Sequence, residues 1–278
     1  MKNNFLTAGR LKAIRIFMPE LIYPDGMYQT SPQPVSSFVK RFPSFTFYRR
    51  FLTIVLKASA KAKRSQYDSM EWSKSSVEVL RALEEVGVYF NITGIEHVKW
   101  LEGPCVFIAN HMSMLETMVL PGIIQPVKEM TFVVKQSLLV YPVFRHIMRS
   151  RDPIAVSRKN PRDDLKAVLE GGLKRLHAGR SIVVFPQTTR TNSFDPTQFN
   201  TIGIKLATKA NIPVVPLALL TDAWNNRKYL KDFGKIDPSK KVYFAFGKPM
   251  WIQDRGHREH AAIIKFIGEK LQGWKDHK

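Results

Sequence analysis

The segment Asn110-His111-Met112-Ser113-Met114-Leu115-Glu116 follows directly on the apolar run Cys105-Val106-Phe107-Ile108-Ala109. A second apolar run, Ile182-Val183-Val184-Phe185, leads into Pro186-Gln187-Thr188-Thr189-Arg190. Each run reads as a buried strand that delivers polar groups at its end. A histidine with a carboxylate five positions on, where the chain leaves a strand, can act as an acid/base pair. An alcohol is a poor nucleophile at neutral pH. An imidazole that takes its proton as the new bond forms accelerates attack by about 10²–10⁴-fold. Glu116 would hold the other ring nitrogen, fix the tautomer and stabilise the imidazolium, as the acid of a Ser-His-Asp triad does. The guanidinium of Arg190 suits bidentate binding of a phosphate, and Thr188 and Thr189 add hydroxyl donors. The pattern points to proton abstraction from a hydroxyl on a phosphate-bearing substrate. A plainer reading stands beside it: Ser113-x-x-Glu116 is also a capping box opening a helix at Ser113.

The two segments resemble the PlsC-like lysophospholipid acyltransferase family. Its first motif is Asn-His, four residues, then Asp; its third is Phe-Pro-Glu-Gly-Thr-Arg. Here they stand as Asn110-His111 with Glu116, and as Phe185-Pro186-Gln187-Thr188-Thr189-Arg190. Between them, Ile154-Ala155-Val156-Ser157-Arg158 is similar to the second motif, and beyond them Ile212-Pro213-Val214-Val215-Pro216-Leu217 is similar to the fourth. The four occur in order over roughly Ile95 to Pro249. The resemblance implies transfer of a fatty acyl group to the free hydroxyl of a lysophospholipid, simplest as 1-acyl-glycerol-3-phosphate to phosphatidic acid. The donor is acyl-CoA or acyl-carrier protein. The acceptor hydroxyl attacks the thioester directly, so no enzyme nucleophile, metal or cofactor is expected. His111 and Glu116 take the catalytic roles. Lys135, Arg158, Gln187, Thr188, Thr189 and Arg190 take substrate-binding roles. Two positions depart from the family pattern: Glu116 replaces Asp, and Gln187-Thr188 replaces Glu-Gly. The second departure keeps open another lyso-lipid acceptor, such as a lyso-ornithine lipid, or a non-catalytic lipid-binding relative.

The elements that must position these groups are legible in the periodicity. Strand-like runs at Val88–Ile92, Val106–Ala109, Met130–Val134, Pro153–Val156, Ile182–Phe185, Val214–Leu219 and Val242–Phe246 alternate with helical stretches. The helical stretches are Met70–Val86, Glu116–Leu120, Leu138–Arg149, Arg162–Ala178, Thr201–Ala210 and Glu259–Trp274. The alternation predicts an α/β fold with a largely parallel sheet flanked by helices, its ligands at the carboxyl ends of the strands. Gly171-Gly172 lies inside a helical pattern and predicts a kink or a close-packed contact.

The organisation expected is an N-terminal docking segment over residues 1–69 and an acyltransferase domain over residues 70–278. A short basic amphipathic piece around Arg10 to Phe17 precedes a Pro-rich stretch. From Val35 to Ser65 the chain is basic and aromatic, with Pro43 separating two helices. Phe47, Arg49, Arg50, Phe51, Ile54 and Lys57 are the expected membrane contacts. The alternatives are a helix packed on the core with a solvated basic face, or a nucleic-acid-binding arm. The formal net charge of +20 favours acidic partners: an anionic membrane surface, nucleic acid or an acidic carrier protein. With the α/β motif set and no nucleic-acid module, no nucleic acid is expected. No signal peptide and no spanning segment is apparent, so the expected location is peripheral, on the cytoplasmic face of the cell membrane. The lone Cys105 lies in an apolar strand and reads as a buried small hydrophobe. His97, His146, His177, His257 and His260 lack metal-ligand spacing, and the last two read as part of a solvated tail.

Overall fold

A computed structural model of the chain describes residues 21–187, 189–227 and 232–276. The basic piece around Arg10 to Phe17 and the substrate-binding candidate Thr188 lie outside them. Eight strands form one sheet: β1 (Met27–Gln29), β2 (Phe90–Thr93), β3 (Val106–Ala109), β4 (Met130–Lys135), β5 (Ile154–Val156), β6 (Ser181–Val184), β7 (Val214–Leu220) and β8 (Val242–Phe246). Their order is β1-β2-β8-β7-β3-β6-β4-β5. From β7 to β5 every neighbouring pair is parallel. β8 then runs antiparallel to β7, and β2 runs parallel to β8. The expected α/β class with a largely parallel sheet is the observed one.

Nine helices are present among the described residues: α1 (Ser37–Arg41), α2 (Pro43–Lys63), α3 (Ser69–Glu85), α4 (Ile95–Lys99), α5 (Leu115–Ile124), α6 (Phe144–Ser150), α7 (Pro161–His177), α8 (Ile202–Ala210) and α9 (His257–Asp276). None of them is long and apolar enough to cross a membrane. The continuous apolar runs are explained by burial on both faces of the sheet. Along β3, Val106 and Ile108 point into a core shared with α7, α8 and α9. Phe107 and Ala109 point into a second core shared with α2, α3 and α5. β7 divides in the same way, with Val215, Leu217 and Leu219 on one side and Val214, Ala218 and Leu220 on the other.

Several expectations are corrected. The stretch Leu138–Arg149 is not one helix. A 3-10 turn over Gln136–Leu139 and α6 are separated at Pro142 and at Val143, which has φ 69°. Proline supplies no backbone donor there, and a β-branched residue in that conformation breaks the helical path. Strand β1, too short to show a period, pairs antiparallel with β2 at the sheet edge. Gly172 marks close packing rather than a kink: a Cβ there would stand 2.6 Å from Leu206 Cδ1, where α7 crosses α8. The first turn of α9 is not a solvated tail, since Glu259 is buried and the His260 ring lies 6.0 Å from that of Phe199.

The largest correction concerns the basic, aromatic segment. Pro43 does open a second helix, as expected. Yet Phe47, Phe51 and Ile54, assigned from sequence to a membrane surface, are buried in the core. The cause is Trp224, whose ring meets Phe47, Tyr48 and Phe51 edge-on at 4.9, 5.9 and 5.2 Å. Edge-to-face aromatic pairs of this kind stabilise the packed arrangement beyond the area they bury. The outer face of α2 carries Phe45, Leu52 and Leu56 instead, with Phe38 of α1 and Phe42 between the two helices, all exposed. Arg49 and Lys57 are exposed on α2, and Arg50 pairs with Glu85.

Candidate functional site

β7, β3 and β6 are adjacent, and their carboxyl ends open on one edge of the sheet. Asn110 follows β3 and locks it to β7. Its side-chain amide donates to the Leu219 carbonyl at 2.8 Å and accepts from the Leu219 N–H at 2.8 Å. The side chain thus does the work of a strand backbone at the point where β3 ends, and His111 leaves a fixed base.

His111 is buried. Its Nδ1 lies 2.9 Å from Glu116 Oε1. An ionised carboxylate only accepts, so Nδ1 carries the proton and Nε2 presents the lone pair. The imidazole stacks on Phe185 with centroids 4.3 Å apart. Its backbone N–H donates to Gln187 Oε1 at 2.8 Å, and its carbonyl accepts from Thr191 N at 3.1 Å.

Glu116 is fully buried. Oε1 also accepts from Met112 N at 2.6 Å and Ser113 N at 2.9 Å. Oε2 accepts from the Thr221 hydroxyl at 2.6 Å and lies 3.0 Å from the Ser113 hydroxyl. Burial by itself would raise the carboxyl pKa. The His111 hydrogen bond and charge, then Thr221 and the Ser113 N–H, outweigh it and hold the group below its ordinary value. The two readings of Glu116 therefore coexist. Ser113 Oγ accepts from Leu115 N at 3.1 Å, and Glu116 reaches back to Ser113 N, so the carboxylate caps α5 while it faces His111.

The basic candidates gather at the same edge. Arg190 is half-buried and donates to Asp232 Oδ1 at 2.6 Å. Burial first, then the neighbouring Arg190 charge, push the Arg158 guanidinium below its usual value, with Asp164 pulling the other way. Arg158 is exposed and Arg190 half-buried, and the two guanidinium groups stand within electrostatic range of each other on this edge. Asp164, in the first turn of α7, sets the Arg158 backbone by accepting from Ser157 N at 2.7 Å and Arg158 N at 2.8 Å. Lys135 is exposed at the end of β4, in register with Val156 of β5. Thr189 is exposed. Gln187, expected to contact substrate, is instead buried beneath His111 with its oxygen on the backbone.

Sequence reasoning passed over Thr221, Asp164, Asp232 and Asn226, whose amide donates to the Met112 carbonyl at 2.6 Å. Thr221 carried a usable signal, being the first polar residue after the apolar run of β7. Asp232 carried none, because the contact spans 42 residues.

The chain is similar to known acyltransferases. The model of the Acyltransferase family matches residues 89–220. The 1-acyl-sn-glycerol-3-phosphate acyltransferase of Pseudomonas aeruginosa is 30% identical over 211 residues, 76% of each chain. A probable 1-acyl-sn-glycerol-3-phosphate acyltransferase of Mycoplasma genitalium is 26% identical over 81% of this chain and 87% of its own. The solved structure of the 1-acyl-sn-glycerophosphate (LPA) acyltransferase PlsC from Thermotoga maritima superimposes with a TM-score of 0.59. It covers 86% of this chain and 96% of that one at 18% identity, a likeness of fold.

Proposed function

The chain belongs to the acyltransferase family, and from that premise we propose that it moves a fatty acyl group from acyl-CoA or acyl-carrier protein to the free hydroxyl of 1-acyl-sn-glycerol-3-phosphate, giving phosphatidic acid. The observation that carries this reading is the buried His111–Glu116 pair at 2.9 Å on the strand edge that also gathers Arg158 and Arg190. His111 Nε2 takes the hydroxyl proton as the oxygen attacks the thioester carbonyl carbon. The carbonyl re-forms as the C–S bond breaks, and the departing thiolate recovers the proton from the imidazolium. Glu116 holds Nδ1–H throughout and stabilises the transient cation. Arg190 and Arg158 hold the acceptor phosphate, with Lys135 and Thr189 at the rim.

The family's Glu at position 187 is Gln here, which argued for a different head group. That side chain spends its oxygen on the His111 N–H, a task a carboxylate performs equally well. At position 187 the departure therefore lends no support to another acceptor.

The same proposal places the protein on the cytoplasmic face of an anionic membrane. Phe38, Phe42, Phe45, Leu52 and Leu56 would enter the interface, with Arg49 and Lys57 at the head groups. The test is a product screen in anionic vesicles, pairing labelled acyl-CoA or acyl-carrier protein with a panel of lyso-lipids. Phosphatidic acid formed by the wild type and not by His111→Ala supports the reading. A preferred acceptor without phosphate refutes the substrate, and turnover by His111→Ala refutes the mechanism.

A further inference from the structure

We propose that Thr221, at the end of β7, is a positioning residue for the acyl transfer, clamping the Glu116 oxygen that faces away from His111. The inference rests on the reading of His111 and Glu116 as the working pair and adds a third member from a distant strand. Glu116 has one more side-chain torsion than an aspartate. The donors from its own loop reach both oxygens: Met112 N and Ser113 N on Oε1, and Ser113 N and the Ser113 hydroxyl, each at 3.0 Å, on Oε2. Those donors belong to the loop that carries Glu116 and shift with it. Thr221 Oγ1 adds the donor from a separate strand at 2.6 Å, within the range of a short charge-assisted hydrogen bond.

The anchor is rigid. Thr221 is fully buried, and the preceding strand is tied to Asn110 through both backbone groups of Leu219. Position 221 therefore cannot drift relative to position 111. Ser113 completes the clamp. Its hydroxyl lies 2.9 Å from the Thr221 carbonyl and 3.1 Å from the Thr221 hydroxyl. Among the described residues, His111 is the one titratable side chain that hydrogen-bonds Glu116; its other partners are neutral hydroxyls and backbone N–H groups.

A role in positioning has a signature that a role in packing lacks. The Thr221 hydroxyl favours the ionised carboxylate, so its removal makes the pair as a whole more basic. The experiment compares Thr221→Val, Thr221→Ala, Thr221→Ser and His111→Ala in the full chain. It uses a labelled acyl thioester, 1-acyl-glycerol-3-phosphate and vesicles, with melting temperatures recorded alongside. Val and Ala should lower kcat by about tenfold, the worth of one hydrogen bond to a charged group, with both KM values unchanged. The acid limb of the kcat profile should move to higher pH in both, and Ser should restore the rate and the limb together. Wild-type kcat and pH profile in a folded Val or Ala variant, with His111→Ala inactive, overturns the role of Thr221 and leaves the working pair standing. Turnover by His111→Ala overturns the reading beneath it. If Val and Ala both fail to fold, the hydroxyl is a requirement of the fold and the positioning role is likewise overturned.

Discussion

Replacing Glu116 by glutamine removes a charge and keeps nearly the same shape. The amide oxygen can still accept from Met112 N and Ser113 N, and the amide nitrogen can donate to the hydroxyls of Ser113 and Thr221, which rotate to accept. The cap of α5 survives. What disappears is the attraction between the carboxylate and the imidazolium that forms as the proton leaves the acceptor. With charge centres roughly 4 Å apart and an effective dielectric near 20, that attraction is about 4 kcal/mol. It exists only once the proton has moved, so its loss falls on kcat and leaves KM in place. The expected outcome is a kcat lower by about a thousandfold. Initial rates across both substrate concentrations measure it, and Glu116→Asp, which keeps the charge, should retain more activity than Gln. Stability supplies an independent check. A carboxyl whose pKa is depressed by folding contributes stability that is complete above its unfolded value, near 4.3, and is lost as pH falls through the folded value. The melting temperature of the Gln variant should therefore fall less steeply than the wild type below about pH 4. Wild-type kcat in the Gln variant would show that Glu116 is a helix cap alone.

Arg190→Ala should raise the acceptor KM and lower kcat with little effect on the donor, and Arg190→Lys should recover only part, since an ammonium lacks the planar fork; unchanged acceptor kinetics would remove Arg190 from the site. Gln187→Glu should be tolerated with lysophosphatidic acid, because either side chain accepts the His111 N–H; a large loss there would mean that the amide nitrogen has a task of its own. Changing Phe45, Leu52 and Leu56 to Ser should weaken sedimentation with anionic vesicles at an unchanged melting temperature, whereas Phe47→Ala should cost about 3–5 kcal/mol of stability. Burial pushes the Cys105 thiol up to about 12, so thiol reagents at neutral pH should label it only on unfolding.

The parallel body of the sheet was legible because its strands are apolar throughout, which only burial on both faces explains. The His111–Glu116 pair was legible because five positions separate them along one loop. The partners supplied from elsewhere in the chain were not. Thr221, Asn226 and Asp232 reach the site from 42 to 114 residues away, and nothing local to Asn226 or Asp232 marks that destination. The inner and outer faces of α2 were confused for a related reason. Helical spacing identifies Phe47, Phe51 and Ile54 as one stripe, but an apolar stripe suits a core and a lipid surface alike. The residue that decides is Trp224, far along the chain.

That placement of Trp224 limits how the protein can be re-engineered. The segment it sits in also receives the Tyr48 hydroxyl at the Gly234 carbonyl, 2.5 Å, and donates Ile236 N to the Ser44 hydroxyl, 3.0 Å. A truncation that begins after residue 65 would strip the wall from an indole that is now 1% exposed. It would yield a sticky, partly opened particle. A version suited to detergent-free work would instead keep α1 and α2 whole and repaint their exterior, exchanging Phe38, Phe42, Phe45, Leu52 and Leu56 for polar residues while the interior stripe stays as it is.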